Sequence, residues 1–263
     1  MYCISIDRPH EWEEAHIYTL SDLHLGDCRC NEHEISARIA EIVADECGLV
    51  VLNGDIMNTA TKTSVSDIYT ETLSPMQQIE AAVEMLRPIK ERVIGATCGN
   101  HEARIYRTDG VDTMRLVCRE LGCEDYYNPD GILIFLQFGR AKSHKKVDEK
   151  NLYKQIYTIY ATHGTGGGRK EGAKAIRLAD MAAIVDADIY IHSHTHLPMI
   201  MKNSYFRTDM RNKAAKPVDR LFVNCGANLD YGGYGQVNEY KPTSHETPVI
   251  MLSGVKHYAK ATM

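Results

Sequence analysis

The stretch Gly-Leu-Val-Val-Leu-Asn-Gly-Asp at residues 48–55 contains the pattern that decides the fold of this chain. A short apolar run, Gly48–Asn53, leads directly into a polar pair, Gly54-Asp55. Apolar runs of this kind alternate with helical patterns along the chain, which is typical of an α/β fold. Because an α/β sheet binds its ligands at the ends of its strands, a functional side chain is expected at Asp55.

The same alternation continues on both sides of this stretch. The other predicted strands are His16–Ser21, Arg92–Cys98, Gly131–Phe138, Leu152–Thr162, Asp188–His192, Arg220–Asn224 and Pro248–Ser253. The predicted helices are Asn31–Asp45, Pro75–Pro88, Val111–Leu121 and Glu171–Val185. The predicted strands Gly131–Phe138 and Leu152–Thr162 would form a hairpin with a solvated charged tip, Arg140–Lys150. No linker-like composition divides the chain, so we expect one domain over residues 1–263.

Two of these helices have clear start signals. Asn31 and Glu34 are spaced as a capping box, and Ser74 precedes a proline at the first helical position. The apolar face of the first helix is predicted to contain Ile35, Ile39, Ile42 and Val43. The apolar face of the second is predicted to contain Met76, Ile79, Val83 and Leu86.

The composition excludes several classes of protein. Hydrophobic residues make up 44% and charged residues 25% of the 263 residues, as in globular domains. No apolar run approaches the ~20 residues of a membrane span, and the start of the chain lacks a secretory pattern. The eight cysteines form no Cys-x-x-Cys pair, which favours a cytoplasmic location. A net charge of −5 argues against nucleic-acid binding through a broad basic surface. It does not exclude a nucleic-acid substrate, because bound metal ions would supply local positive charge.

Polar clusters rich in histidine and aspartate follow five of the predicted strands. They are Asp22-Leu23-His24, Gly54-Asp55, Gly99-Asn100-His101-Glu102, His163-Gly164 and His194-Thr195-His196. On an extended backbone, Asp-x-His and His-x-His would each direct two side chains to the same side. Carboxylates with imidazoles suit zinc, iron, manganese or nickel rather than calcium. Two Asp, four His and one Asn exceed the needs of one tetrahedral zinc and could serve two ions if one carboxylate bridges them.

These five clusters, in this order between residues 22 and 196, resemble the motifs of the calcineurin-like metallophosphoesterases. The resemblance implies a four-layer sandwich of two mixed β-sheets flanked by helices. It also implies a hydrolase with two divalent metal ions, manganese most readily in vitro and iron, zinc or nickel as alternatives, in which a metal-bridging hydroxide attacks phosphorus in line. By the same resemblance, Asp22, His24 and His196 would bind the first metal, and Asn100, His163 and His194 the second. Asp55 would bridge both, and His101 would stabilise the phosphoryl oxygens or protonate the leaving group.

Departures from the family pattern bear on the substrate. Asn58 and Thr59 stand where the phosphoprotein phosphatases of the superfamily have an Asp and an Arg. This favours a phosphodiesterase acting on nucleotides or nucleic acid, although Gly-Asn-His-Glu is also found in protein phosphatases. The alternative is a phosphomonoesterase, either a nucleotide or a protein phosphatase. Ser193 replaces the usual glycine before His194, and His192 either supports a metal ligand or is a buried structural histidine.

Weaker signals surround these motifs. Arg104, three residues beyond His101, could hold a phosphate or lie on a helix surface. Arg169 follows a glycine-rich loop that could bind phosphate or be solvated. Tyr231 could stack a base or pack in a turn. The long polar segment Thr59–Ser74 is a candidate lid.

Two other hypotheses compete with a hydrolase. The first is a non-catalytic scaffold of the same fold, which should bind little metal and lose no stability to a chelator. The second is a protein with a single structural zinc, in which mutation of His101 should affect folding and not only turnover. A complete ligand set disfavours both. The sequence gives no indication of oligomeric state.

Overall fold

The computed structural model describes residues 1–62, 64, 68–140, 153–166 and 168–263, so most of the predicted tip Arg140–Lys150 lies outside the described residues. The strands are β1 Tyr2–Asp7, β2 Glu14–Leu20, β3 Gly48–Asn53, β4 Val93–Thr97, β5 Ile132–Phe138, β6 Gln155–Ala161, β7 Ile189–His192, β8 Met199–Asp209, β9 Ala214–Asn224, β10 Val249–Ser253 and β11 Ala259–Thr262. The helices are α1 Glu32–Ala44, α2 Pro75–Leu86, α3 Glu102–Asp109, α4 Thr113–Leu121, α5 Glu171–Asp180 and α6 Gly233–Val237.

The strands form two mixed sheets. The six-stranded sheet has the order β1-β5-β6-β7-β9-β8, and the five-stranded sheet has the order β11-β10-β2-β3-β4. Strands β2, β3 and β4 run parallel to one another, as do β6, β7 and β9. Strands β5 and β6 pair antiparallel, as predicted.

Alternating side chains of the strands divide the molecule into layers. In β3, Leu49 and Val51 face the other sheet, whereas Val50 and Leu52 pack against α1, α2 and α4. On the outer face of the six-stranded sheet, buried residues such as Tyr190 pack together with Leu178 of α5. Because strand side chains alternate between faces, the two sheets have a shared core and each has a second core under its helices. The predicted four-layer sandwich is confirmed.

The helix starts follow the predicted signals. Ser74 and Gln77 form a complete capping box at α2, whereas at α1 the Asn31 side chain accepts the Glu34 N–H without the reciprocal bond. Two residues of the predicted apolar faces are exposed instead, Val43 by 46% and Met76 by 59%. Each lies at the margin of its apolar stripe, where the helix turns away from the sheet.

Three strands have no counterpart among the predicted elements. Strand β1 buries only Ile4 and Ile6, β8 is mostly exposed along its length, and β11 has four residues with none fully buried. Edge strands need few apolar residues, so hydrophobic patterning identifies them poorly. Among the described residues, no helix combines the length and the apolar character required to cross a membrane.

Candidate metal centre

The five polar clusters meet at one end of the sandwich, where the parallel strands of both sheets terminate. The clusters at Asp22, Asp55 and Asn100 follow β2, β3 and β4, and those at His163 and His194 follow β6 and β7. The fold therefore brings together the seven predicted ligand residues and His101 from five separate segments, at the edge where α/β sheets bind ligands.

The backbone at this edge is left-handed, so the extended conformation predicted for Asp22–His24 and His194–His196 is wrong. Positive φ values occur at five of the seven predicted ligand residues, between 50° and 66°. These residues are Asp22, His24, Asp55, His194 and His196. Such angles are uncommon for residues other than glycine and concentrate at functional sites. Tight left-handed turns, and not strand alternation, direct these side chains to one place.

The first group of side chains comprises Asp22, His24 and His196, whose ligand atoms all lie within 4.8 Å of one another. The Nε2 atoms of His24 and His196 are 3.4 Å apart. Asp22 Oδ1 lies 3.1 Å from His196 Nε2. The other oxygen of Asp22 accepts hydrogen bonds from the Ser21 hydroxyl and the His194 N–H, which orients the carboxylate.

The second group comprises Asp55, His163 and His194, with the same 4.8 Å limit. His163 donates its Nδ1 proton to the carbonyl of Asn53 at 2.7 Å, and its Nε2 lies 3.1 Å from Asp55 Oδ2. His194 Nδ1 lies 2.7 Å from Asn100 Oδ1. A main-chain acceptor on one imidazole nitrogen, with the other turned to the site, is the usual arrangement of a metal-binding histidine.

Asp55 connects these groups. It also belongs to a third set of potential ligands with His24 and His101. His101 Nε2 lies 3.8 Å from Asp55 Oδ2, and its ring meets the His24 ring edge-on at 4.4 Å. The Asp55 carboxylate therefore lies between the groups around His24 and His163.

The spacing of these atoms fits divalent cations. With bonds of about 2.1 Å, adjacent ligands of a tetrahedral or octahedral ion lie about 3.0–3.4 Å apart. The His24–His196, Asp22–His196 and Asp55–His163 separations of 3.4, 3.1 and 3.1 Å fall in this range, and the other ligand atoms of each group lie within 4.8 Å of one another. Asp22 Oδ1, His24 Nδ1 and His163 Nε2 are also buried without a hydrogen bond among the described residues. Unpaired buried polar atoms are costly, so a cation beside Asp22 and His163 would satisfy two of these three.

The electrostatics of the site match this chemistry. Burial, assisted by His163, lowers the pKa of His194 to about 4, so one of its ring nitrogens has a free lone pair at neutral pH. Burial opposes protonation of His163 as well, but the Asp55 carboxylate beside it raises the pKa of His163 to about 10. Against the effect of burial, His163 and His101 hold the pKa of Asp55 well below its usual range. A cation binding at Asp55 would take the place of the His163 proton.

Two supporting residues had no assigned role in the sequence analysis. Asn53 donates to Ser193 Oγ at 2.7 Å and to the Thr162 carbonyl at 2.9 Å, so it joins the two sheets beneath the site. Ser193, which departs from the family pattern, therefore provides a hydroxyl oxygen that accepts from Asn53 and that a glycine would lack. The sequence signal for this contact is the polar residue Asn53 at the end of a buried strand.

Glu102 is the second supporting residue. Its carboxylate is buried and accepts main-chain N–H groups of Asp55, Met57 and Gly99 at 2.9–3.0 Å. These bonds hold the turn after β3 against the turn after β4. The sequence motif suggested a catalytic role for the neighbouring residue His101 and none for Glu102. In the structure, Glu102 stabilises the main chain of both turns.

The remaining predicted residues lie at different distances from this centre. Arg104 Nη2 lies 2.9 Å from His101 Nε2. His192 is buried and its Nδ1 is 2.8 Å from Asn224 Oδ1; the Asn224 amide in turn donates to Thr195 Oγ1. Thus His192 supports the turn that contains His194 and His196.

Arg169 and Tyr231 both contact Tyr240. The Arg169 guanidinium lies 5.5 Å from the centre of the Tyr240 ring, and Tyr231 donates its hydroxyl proton to the Tyr240 carbonyl. Both are at least half exposed, at 58% for the Arg169 side chain and 50% for Tyr231. Substrate contact by either residue stays a prediction.

The calcineurin-like phosphoesterase family model matches residues 15–198 of this chain. Three solved structures are similar to it at low identity. A conserved uncharacterized protein from Streptococcus pneumoniae TIGR4, described as a predicted phosphoesterase, is 14% identical, with 95% of this chain and 97% of that chain covered and a TM-score of 0.35. Vacuolar Protein Sorting 29 from Cryptosporidium parvum is 15% identical, with 95% of this chain and 97% of that chain covered and a TM-score of 0.43. A metallophosphoesterase from Sphaerobacter thermophilus is 12% identical, with 90% of this chain and 83% of that chain covered and a TM-score of 0.40. No curated protein matches the chain significantly.

Proposed function

Because this chain belongs to the calcineurin-like phosphoesterase family, we propose that it is a hydrolase of phosphate esters that uses two divalent metal ions. Within that class, we assign it to the phosphodiesterases that act on nucleotides or nucleic acid. The two ions would supply positive charge for the phosphoryl oxygens and acidify a water molecule for attack.

The observation that carries the proposal is the position of Asp55 between two sets of ligand atoms. It is 1% exposed, and its Oδ2 lies within 3.1 Å of His163 and 3.8 Å of His101. Asp55 would bridge the ions, with Asp22, His24 and His196 on one and Asn100, His163 and His194 on the other. A buried carboxylate between imidazole groups is stable only when positive charge accompanies it.

His101 and Arg104 would act on the substrate. His101 Nε2 is the acceptor for Arg104 in the structure; once Arg104 turns to the substrate phosphate, this nitrogen would take up a proton from solvent and pass it to the leaving oxygen. Arg104 Nη2 is already beside that nitrogen, at 2.9 Å, and its guanidinium would bind a non-bridging phosphoryl oxygen. The His101 ring is thereby oriented on one side by the main chain and on the other by the Arg104 guanidinium, which would also bind the substrate phosphate.

One replacement supports a diester substrate. The Arg that binds phosphate in phosphoprotein phosphatases is replaced by Thr59, which donates its hydroxyl proton to the His101 carbonyl at 2.6 Å. Thr59 is fully buried, so its side chain stabilises the fold and does not replace the phosphate-binding Arg. Loss of one cation suits a phosphodiester, which carries one negative charge less than a monoester.

The test compares hydrolysis of bis-p-nitrophenyl phosphate and p-nitrophenyl phosphate with Mn²⁺ and with EDTA. We expect metal-dependent cleavage of the diester and a kcat about 10²–10⁴-fold lower in His101→Ala, since a proton donor is removed. His33→Ala, an exposed histidine on α1, is the matched control. Cleavage of the monoester alone would overturn the diester assignment, and cleavage of neither by metal-loaded protein would favour the scaffold.

A further inference from the structure

We propose that Glu71, acting through Asn58, is a positioning residue that fixes the imidazole of His101. The inference rests on the proposed role of His101 in the function above. Glu71 has no counterpart among the sequence motifs and lies 30 residues before His101 in the chain. Five hydrogen bonds lead from His101 to Glu71 and back.

The first link fixes the His101 ring. His101 Nδ1 lies 2.9 Å from the carbonyl oxygen of Asn58. A carbonyl oxygen only accepts hydrogen bonds, so Nδ1 is the protonated nitrogen. The tautomer with a free lone pair on Nε2 is therefore selected, and that nitrogen faces Arg104. The position of the Asn58 carbonyl decides both the orientation of the ring and the state of its reactive nitrogen.

The second link fixes Asn58. Its side-chain amide donates to Asp27 Oδ2 at 3.4 Å and also to Glu71 Oε1. Asn58 is 2% exposed, so these carboxylates replace water as its partners. An aspartate at position 58 would face two carboxylates without a proton to share. The structure thus supplies a reason for asparagine at this position.

Three further hydrogen bonds return from Glu71 to His101. Glu71 Oε2 accepts from the Gln78 amide, and Gln78 Oε1 accepts the Thr59 N–H at 2.8 Å. Thr59 then donates its hydroxyl proton to the His101 carbonyl. Thr59 has a φ of 41°, an outlier for a β-branched residue, so surrounding contacts must hold it in place.

The ring of hydrogen bonds therefore holds His101 by its side chain and by its main chain. Glu71 accepts from two side-chain amides, so it fixes which way the Asn58 and Gln78 amides face. Glu71 is also on the segment Thr59–Ser74, which indicates that the described part of this segment anchors the site. Misplacement of a catalytic group by about 1 Å can cost ~10²-fold in rate.

The experiment reverses the polarity of one bond. Glu71→Gln leaves one acceptor oxygen for the two amide donors of Asn58 and Gln78, and Asn58→Asp places a carboxylate opposite the Glu71 carboxylate. The double variant restores one donor and one acceptor, now in the opposite direction. Glu84→Gln, an exposed glutamate on α2, is the matched control. The assays are kcat and KM for bis-p-nitrophenyl phosphate with Mn²⁺, together with urea denaturation.

We expect each single variant to lower kcat about 10–100-fold with KM changed less than about threefold, and the double variant to recover at least about tenfold over either one. Single variants that fold and keep the wild-type kcat would overturn the proposal, as would a double variant that recovers nothing. If neither single variant folds, the double variant decides: a folded, active protein supports the pairing, and an unfolded one refutes it.

A spectrum separates this proposal from the proposed function. In Zn²⁺-loaded protein with ¹⁵N-labelled histidine, the His101 ring should show protonated Nδ1, assigned by its loss in His101→Gln. In Glu71→Gln it should show a mixture of tautomers. An unchanged spectrum in that variant would overturn the positioning role even if the wild type hydrolyses neither ester; conversely, inactivity of the wild type alone affects only the proposed function.

Discussion

Substitution of Gly99 by alanine should disable the metal centre by adding one methyl group. A Cβ at Gly99 would overlap Oδ1 and the main-chain nitrogen of Asp55 and would lie 2.7 Å from its Cγ. Carbon atoms in contact need about 3.5–4.0 Å, so the Asp55 carboxylate must withdraw by about 1 Å. Metal ligands tolerate shifts of only about 0.2 Å.

The magnitude follows from the bonds that this shift would break. Asp55 Oδ1 accepts the His101 N–H at 2.8 Å, and the Asp55 N–H donates to Glu102 at 3.0 Å. Each buried bond that loses its partner costs about 1–3 kcal/mol. We expect Gly99→Ala to lower the free energy of unfolding of the metal-free protein by about 3 kcal/mol, and to weaken metal binding at least about 100-fold.

Urea denaturation in EDTA measures the first effect, and the metal content after Mn²⁺ loading and desalting measures the second. Gly172→Ala is the control, because nothing lies within 4 Å of a Cβ at that position; alanine near the start of α5 should leave stability unchanged or raise it by up to about 1 kcal/mol. A Gly99→Ala protein with a full metal complement and an unfolding free energy within about 0.5 kcal/mol of wild type would refute the reasoning.

Three further predictions address other parts of the molecule. EDTA should lower the Tm of the wild type in differential scanning fluorimetry, since an ion at 100 times its Kd adds about 2.7 kcal/mol of stability; a Tm that does not respond would contradict a metal centre. Arg104→Lys should raise KM for the diester about tenfold, because an ammonium cannot contact His101 Nε2 and a phosphoryl oxygen with the geometry of a guanidinium; an unchanged KM would remove Arg104 from the substrate site. At Asp188, burial would raise the pKa, but His257 and the Thr158 N–H lower it to about 2. The stabilisation by Asp188 is therefore complete above its unfolded pKa of about 3.9 and is lost as pH falls towards 2. In urea denaturation, Asp188→Asn should lower the free energy of unfolding by about 2 kcal/mol at pH 7 and by progressively less below pH 4. A difference that does not depend on pH would contradict this.

The central strands and the positions of the polar clusters that follow them could be predicted because their residues carry strong local signals. The run Gly48–Asn53 is entirely buried, and it continues into a left-handed Gly54-Asp55 turn. Apolar runs of this kind reflect burial on both faces and need no tertiary information. Strand β8 carries no such signal, because its stability comes from eleven cross-strand pairs with β9 and not from burial.

The environment of the site was harder to predict for a different reason. Glu71, Gln78 and Asn53 form hydrogen bonds to residues that are 13, 19 and 140 positions away in sequence. A polar residue gives the same sequence signal whether it is solvated or buried in a network, so only the fold distinguishes them. The left-handed turns at the ligands were also invisible, since Asp and His adopt such angles only when the surrounding structure holds them there.

The exchange of strands between the two sheets has a consequence for the integrity of the molecule. Strand β1 belongs to the sheet built mainly from residues after 131, whereas β10 and β11 belong to the sheet built mainly from residues before 98. A single cut between Cys123 and Gly131 would thus create two fragments, each missing strands that the other contains. The cut would also separate Asp22, Asp55 and their neighbours from His163, His194 and His196. Such fragments would form a split reporter whose metal-binding capacity returns only when the two halves associate.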